Sequence, residues 1–129
     1  MYSSVTTAIL RGITSTLVNV EADVSSGMPH FEMVGFLSAE VKEAKERVKT
    51  ALKNSGYELP PQRITVNIAP ASIKKQGCGF DLPMAIAILS AMSVIELKDD
   101  KLMMIGELSL SGQINPVVGV LPILLDAVK

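Results

Sequence analysis

The spacing of apolar positions changes several times along this chain, and each change predicts an element. Val5 to Leu10 is rich in Thr and branched residues and predicts a first strand. Ile13 to Val24 keeps a two-residue period for longer. Thr16, Val18, Val20, Ala22 and Val24 fall on one face, and Leu17, Asn19, Glu21 and Asp23 on the other, so a half-buried strand is expected. Arg11-Gly12 suits a hairpin turn between the two. Ser25-Ser26-Gly27 and Pro29 punctuate a loop, and Phe31 to Gly35 reads as a short third strand. The period then becomes helical. Ser38 can cap a helix that runs to about Asn54 and stops at Gly56, burying Val41, Ala44, Val48, Ala51 and Leu52 as one stripe. Pro60-Pro61 enforces an extended connection, and Arg63 to Ile68 alternates as a fourth strand with Ile64, Val66 and Ile68 inward.

The stretch from Lys74 to Met92 organises the rest. A basic, glycine-spaced loop empties into a segment that is apolar almost all round. Asp81 can cap the helix start, and Pro83 falls in the first turn, where its missing N–H does no harm. From Met84 onward there is no polar stripe, so this helix is expected to be buried on most of its circumference. Lys98-Asp99-Asp100-Lys101 is a charged turn. Leu102 to Leu110 predicts a fifth strand, Ser111-Gly112 a turn, and Gln113 to Val117 a sixth strand. A helix is expected from Val120, with Pro122 in its first turn. Its amphipathic pattern is still running at Lys129, which suggests one domain, residues 1–129, excised from a longer protein. Strands and helices do not alternate strictly, so the expected class is α+β, a mixed sheet with helices on one face.

Composition narrows the picture. Apolar residues make 48% of the chain and charged ones 19%, a globular balance. No apolar run is long enough for a membrane span and no secretory pattern opens the chain, so a cytoplasmic location is expected. One cysteine, Cys78, excludes an internal disulfide. Net charge is −1 but unevenly placed: residues 38–75 carry +4 and the remainder −5. That asymmetry permits a basic face for an anionic partner.

The residues support little chemistry on their own. A P-loop needs two glycines five apart and then Lys and Ser/Thr, whereas here Lys74 and Lys75 precede the glycines and no hydroxyl stands ready for magnesium. Weaker anion contact, by Lys74 and Lys75 with donors at the helix start, is reasonable. Cys78 could be a nucleophile favoured by those lysines, but His30 is the only histidine and nothing ties it to Cys78. His30 has no companions at ligand spacing, so no metal site is expected.

Two resemblances add to this. Lys75-x-Gly77-x-Gly79 before an apolar helix, followed by Gly106-Glu107-Leu-x-Leu-x-Gly112-x-x-x-Pro116-x-x-Gly119, resembles the proteolytic domain of Lon-type proteases. That family's serine falls on Gly79 and its partner lysine on Leu121, and neither residue can do the work. The resemblance implies the protease fold, shared with the second domain of a small-subunit ribosomal protein, without its catalytic dyad.

A closer resemblance covers nearly the whole chain. Its blocks are Val20-Glu21-x-Asp23-Val-Ser-x-Gly27-x-Pro29-x-Phe31, Val34-Gly35-Phe36, and Val41-Lys-Glu-x-x-Glu-Arg47-Val48. Ala51-Leu-Lys-Asn-Ser-Gly56-Tyr, Arg63-Ile-Thr-Val-Asn67-Ile-Ala-Pro70-Ala, Gly77-x-x-Phe80-Asp81-Leu82-Pro83 and Gly106-Glu107-Leu108-Ser-Leu-x-Gly112 follow in order. These resemble the amino-terminal domain of the bacterial competence-protein ComM (YifB) family, also called magnesium-chelatase-like AAA+ proteins. Gly79 departs from that pattern, which more often has arginine there.

The resemblance implies a longer parent in which an ATPase module, binding ATP and Mg, follows a non-catalytic first domain. Such parents are similar to hexameric motors that translocate DNA during recombination in natural transformation. For this chain it implies no cofactor, no metal, no small-molecule substrate and no membrane. The expected role is subunit assembly or DNA guidance, with Lys74, Lys75, Arg63, Arg47 and Lys49 as phosphate contacts. The alternatives are a hydrolase or peptidase using Cys78, or a pure oligomerisation module.

Overall fold

The computed structural model describes residues 1–11, 14–97, 102–117 and 123. Four strands form the main sheet: β1 (Tyr2–Arg11), β2 (Thr14–Ser25), β3 (His30–Val34) and β4 (Arg63–Ala69). Their spatial order is β1-β2-β4-β3. The β1/β2 and β2/β4 pairs are antiparallel, and β3 runs parallel to β4, so the sheet is mixed as expected. The first two strands pair down to Arg11↔Thr14, which is the expected hairpin. Its tip, Gly12 and Ile13, lies outside the described residues.

The two-residue period fixes which face is buried. Val5 pairs with Val20 and Val20 with Ile68, while Val24 and Phe31 both pair with Ile64. All six are buried, in rows across one face of the sheet. A slip of one residue in any pairing would turn its whole apolar row outward, so the register is strongly specified. Complete burial of Val20 or Val66 contributes about 2 kcal/mol each. The opposite face is polar. There the Tyr2 hydroxyl and the Asn67 amide both donate to Glu21, each at 2.8 Å.

The main apolar helix is α3 (Asp81–Ala91), packed against β1 and β2. Met84, Ala87 and Ile88 are completely buried, as an all-round apolar helix requires. Asp81 is not its cap, contrary to the expectation. Phe80 holds the cap position without a side-chain bond, and the Asp81 carboxylate points into the interior instead.

The helix expected from Ser38 to Asn54 is two pieces, α1 (Ala39–Lys42) and α2 (Ala44–Asn54). Ser38 does cap the first: its hydroxyl accepts from the Val41 N–H at 3.3 Å. At Glu43 the chain tightens, because the Glu46 N–H reaches back three residues to the Glu43 carbonyl. The stripe survives the break, and Val41, Ala44, Val48, Ala51 and Leu52 are all buried. From α2, this layer packs on α3.

The long fifth strand is not formed. Only β5 (Glu107–Leu108) pairs, with β6 (Ile114–Asn115), in a separate two-stranded unit. The reason lies in where the backbone groups go. The Met104 N–H bonds to the Thr6 carbonyl, the Gly106 N–H to the Gly79 carbonyl, and the Gly106 carbonyl accepts from Leu82. Residues 103–106 therefore stitch β1, the glycine loop and α3 together and cannot serve one neighbouring strand. The charged turn at Lys98 to Lys101 lies outside the described residues. So does the final helix, apart from Ile123, which is helical and buried.

One core group is not satisfied. Thr7 lies on the buried face of β1, 1% exposed, and its hydroxyl has no hydrogen-bond partner among the described residues. A buried polar atom without a partner costs free energy that an apolar replacement of similar shape avoids. Thr7→Val should therefore raise stability by about 1 kcal/mol. Urea unfolding would register this as a higher midpoint at unchanged slope.

Candidate functional site

The site is built on the loop between β4 and α3. Lys75 is held in an extended bridge beside Leu37: its N–H bonds to the Phe36 carbonyl at 2.8 Å and its carbonyl accepts from Ser38 N–H at 3.0 Å. Neighbours in extended chain point to opposite sides. Lys74 accordingly turns outward, its ammonium 5.9 Å from the centre of the Phe36 ring. Lys75 turns inward, is completely buried, and donates to the Pro70 carbonyl. Burial pushes the Lys75 ammonium below its usual range, and no carboxylate pairs with it among the described residues. Gly77, at φ +93°, then turns the chain toward Gly79 and the start of α3.

Asp81 anchors the end of this loop. Its carboxylate is completely buried and accepts two bonds from Arg47 of α2, Nε at 2.7 Å and Nη2 at 3.0 Å. It also accepts the Leu108 N–H of β5 at 3.0 Å. Burial pushes the Asp81 carboxyl up, against the bonds from Arg47 and Leu108 that favour its charged form. The reciprocal bond holds the Arg47 guanidinium above its usual range. Glu43, four residues before Arg47, stands 3.8 Å from its Nη1.

In front of the loop lies a cleft of about 870 Å³, within the range of ligand pockets. Its walls include Ile9 and Leu10 of β1, Glu40 of α1, the loop from Gln76 to Phe80, and Ile105, Val117 and Ile123. Cys78 opens onto it. The thiol is pushed up to about 11, first by its hydrogen bond to Glu107, then by burial and by the charges of Glu107, Asp81 and Glu40. That bond also holds the Glu107 carboxyl below its usual range. At neutral pH Cys78 is therefore a protonated thiol, the inert form of a cysteine. His30 is exposed at the start of β3, 4.0 Å from Glu32, and does not line the cleft.

At Gly79 a side chain would crowd the cleft wall. A Cβ placed there would come within 2.9 Å of Ile105 Cγ1 and 3.9 Å of Val117 Cγ1. The helix start beside it offers little to a phosphate. The Leu82 N–H is bonded to the Gly106 carbonyl at 3.0 Å, and Asp81 and Glu107 are acidic neighbours. The residues here do not fit a nucleotide phosphate, and the weaker anion contact expected of Lys74 and Lys75 is left without its buried member. Among the described residues no three His, Cys, Asp or Glu side chains converge as metal ligands.

Comparison with known proteins places the sequence in a family. The family model for subunit ChlI of Mg-chelatase matches residues 20–129. The chain belongs to that family. Among curated relatives, the uncharacterized protein YifB of Escherichia coli (strain K12) is 41% identical over 98% of this chain and 25% of its own length. The competence protein ComM of Haemophilus influenzae is 44% identical over 92% of this chain and 23% of its own. The chain thus spans about a quarter of these relatives. A Lon protease of Trichlorobacter lovleyi is 25% identical over 88% of this chain.

Within this ChlI-family chain the five expected phosphate contacts are scattered. Lys75 is buried, and Arg47 is engaged by Asp81 with its side chain only 23% exposed, so neither is the free surface cation expected. Arg47 is tied to the buried Asp81, and Lys75 to the Pro70 carbonyl. Arg63, Lys49 and Lys74 are exposed. Arg63 opens β4 beside Glu32, at 3.9 Å, whereas Lys74 follows its far end, so the length of the strand, roughly 20 Å, separates them. Lys49 lies on α2. Of the two positions where the Lon-type resemblance puts reacting groups, Gly79 is packed against Ile105, and Leu121 lies outside the described residues. Sequence reasoning missed Glu40 as a cleft wall and Glu107 as the partner of Cys78. It also missed Asp81 as a buried partner, although a lone carboxylate opening an apolar helix needs one.

Two predictions come from this geometry. Arg47→Met leaves Asp81 buried and uncompensated, at a cost of about 3–5 kcal/mol near neutral pH. Without Arg47 the folded-state carboxyl is pushed up further. Between the unfolded and folded values the native state then binds the extra proton, so its stability falls as pH rises and returns on acidification. Unfolding curves from pH 7 toward pH 5 should thus show the variant recovering part of its deficit relative to wild type. Gly79→Ser overpacks against Ile105, costing about 1–3 kcal/mol, and should yield no cleavage of fluorescent casein.

Proposed function

We propose that this chain is a non-catalytic, Lon-protease-like amino-terminal domain of a ComM-like AAA+ ATPase that processes DNA in recombination. The observation that carries the reading is the packing of Ile105 against Gly79, where a protease would need its nucleophile. It is supported by the likeness to the competence protein ComM over 92% of the chain. In this reading ATP and Mg bind to a module of the longer protein, which assembles as a hexamer in the cytoplasm. No described helix is long and apolar enough to cross a membrane.

The domain's own part is DNA guidance through its exposed cations, with a share in subunit assembly. Lys49 sits on α2 with Lys53 exposed one turn on, Lys42 is exposed at the end of α1, and Lys74 stands at the cleft rim. The outer face of the sheet is acidic around Glu21, Asp23 and Glu32, so Arg63 at the start of β4, 3.9 Å from Glu32, is the weakest of the three exposed candidates. A cysteine hydrolase is disfavoured by the protonated state of Cys78 and by the position of His30 outside the cleft.

The test places Lys49→Ala, Lys74→Ala and Arg63→Ala together in the full-length protein. Removing one phosphate-binding cation should lower the salt slope of DNA affinity by about 0.9 for duplex DNA. Titrations at several salt concentrations measure it. Unchanged affinity and slope would remove these residues from the DNA path and leave assembly as the domain's role.

A further inference from the structure

The cleft itself has properties that DNA guidance does not use. Ala8, Ile9 and Leu10 all line it. Successive strand residues point to opposite faces, so three in a row can share one cavity only if it lies along the strand's edge. Among the described residues no strand pairs along that edge of β1. Its other side pairs with β2 throughout, and among the described residues the free edge is met only at Thr6, by Met103 and Met104. An edge strand beside a cleft is a template for an added strand.

The side chains select what could be added. Ile9, Leu10, Ile105 and Val117 supply apolar walls. Glu40 supplies a charge: its Oε1 lies 3.9 Å from where a Cβ of Gly77 would be, and no ion pair engages it among the described residues. Glu107 stands behind Cys78 as a second carboxylate. The one cation among the described residues of the cleft, Lys74, is turned onto the Phe36 ring. A polyanion is repelled by this arrangement, whereas a basic side chain next to an apolar one is matched by it.

We propose that this cleft binds an extended peptide segment of alternating apolar and basic residues, added along the free edge of β1. The apolar side chains fill the space between Ile9 and Ile105, and a basic one pairs with Glu40. Binding is not followed by cleavage, because Gly79 has no side chain to attack with and no histidine lines the cleft among the described residues to activate Cys78. The inference rests on the cleft alone and does not need the DNA reading.

The test uses the 129-residue chain and a fluorescein-labelled, capped peptide alternating Leu and Lys. Anisotropy reports binding, and alkylation of Cys78 by iodoacetamide at alkaline pH reports occupancy of the cleft. The peptide should bind and slow alkylation, and a Leu/Glu peptide of equal length should do neither. Glu40→Lys should weaken binding about tenfold, Glu40→Gln less, and the distant surface change Lys53→Glu not at all. Circular dichroism confirms that each variant is folded. Equal binding of the acidic peptide would overturn the proposal, as would unchanged affinity in Glu40→Lys. Binding that leaves Cys78 unprotected, or protection by a single-stranded oligonucleotide instead of the peptide, would overturn it too.

Discussion

Everything near the cleft depends on the contact between Arg47 and Asp81. The carboxylate has no exposed surface, and burying it alone would cost several kcal/mol. Two bonds from one guanidinium and one from a backbone N–H satisfy it. Those three donors sit on α2 and β5, while the acceptor opens α3. A buried pair of this kind is weak as a source of net stability, because well-packed apolar residues can do as well. What it supplies is placement. The planar guanidinium reads a carboxylate in two bonds, so the angle of α3 against α2 is set, and with it the path of the glycine loop.

The same contact changes the meaning of the charge pattern. Residues 38–75 carry an excess of four positive charges, which suggests a basic surface. Two of those cations never reach the surface as free charges. Arg47 is bound to Asp81, and Lys75 is buried against the Pro70 carbonyl. A third, Arg63, lies near Glu32 at the other end of β4. The surface excess is therefore smaller than the count and is carried by the lysines of α1 and α2 and by Lys74. Charge counted along a sequence becomes a field only after the fold has decided which charges are spent inside.

Much of the fold is legible in the residues, and the failures have identifiable causes. The long strands follow from period two alone, because Val18, Val20, Ala22 and Val24 leave only one face to bury. The central helix follows from its lack of a polar stripe. The capping role given to Asp81 fails because local preference was outweighed by a partner 34 residues away, which no local pattern encodes. The fifth strand fails for a related reason. Its residues have strand-like side chains, but their backbone groups are claimed by three different elements. The cleft was half legible: the glycine loop announced a special backbone, while Glu40, Ile105 and Ile9 come from segments distant in sequence. Lys74 and Lys75 look equivalent in the sequence, and only the bridge to Leu37 decides which of them turns inward.

Gly79 brings these strands of reasoning to one point. A missing side chain could have left a simple vacancy in an otherwise protease-like cleft. Here the space is taken: Ile105 approaches to within 2.9 Å of where a Cβ would stand, and Val117 lies close behind. Ile105 is held there by the backbone on either side of it, through Met104 to Thr6 and Gly106 to Gly79. The segment that would have been a strand is thus what fills the nucleophile's position. Restoring a hydroxyl at residue 79 would therefore require the Ile105 side chain to shift, and the partner lysine would still be lacking. The want of chemistry at this position is built into the packing, and it leaves behind an apolar cleft with a carboxylate wall that can hold a chain without cutting it.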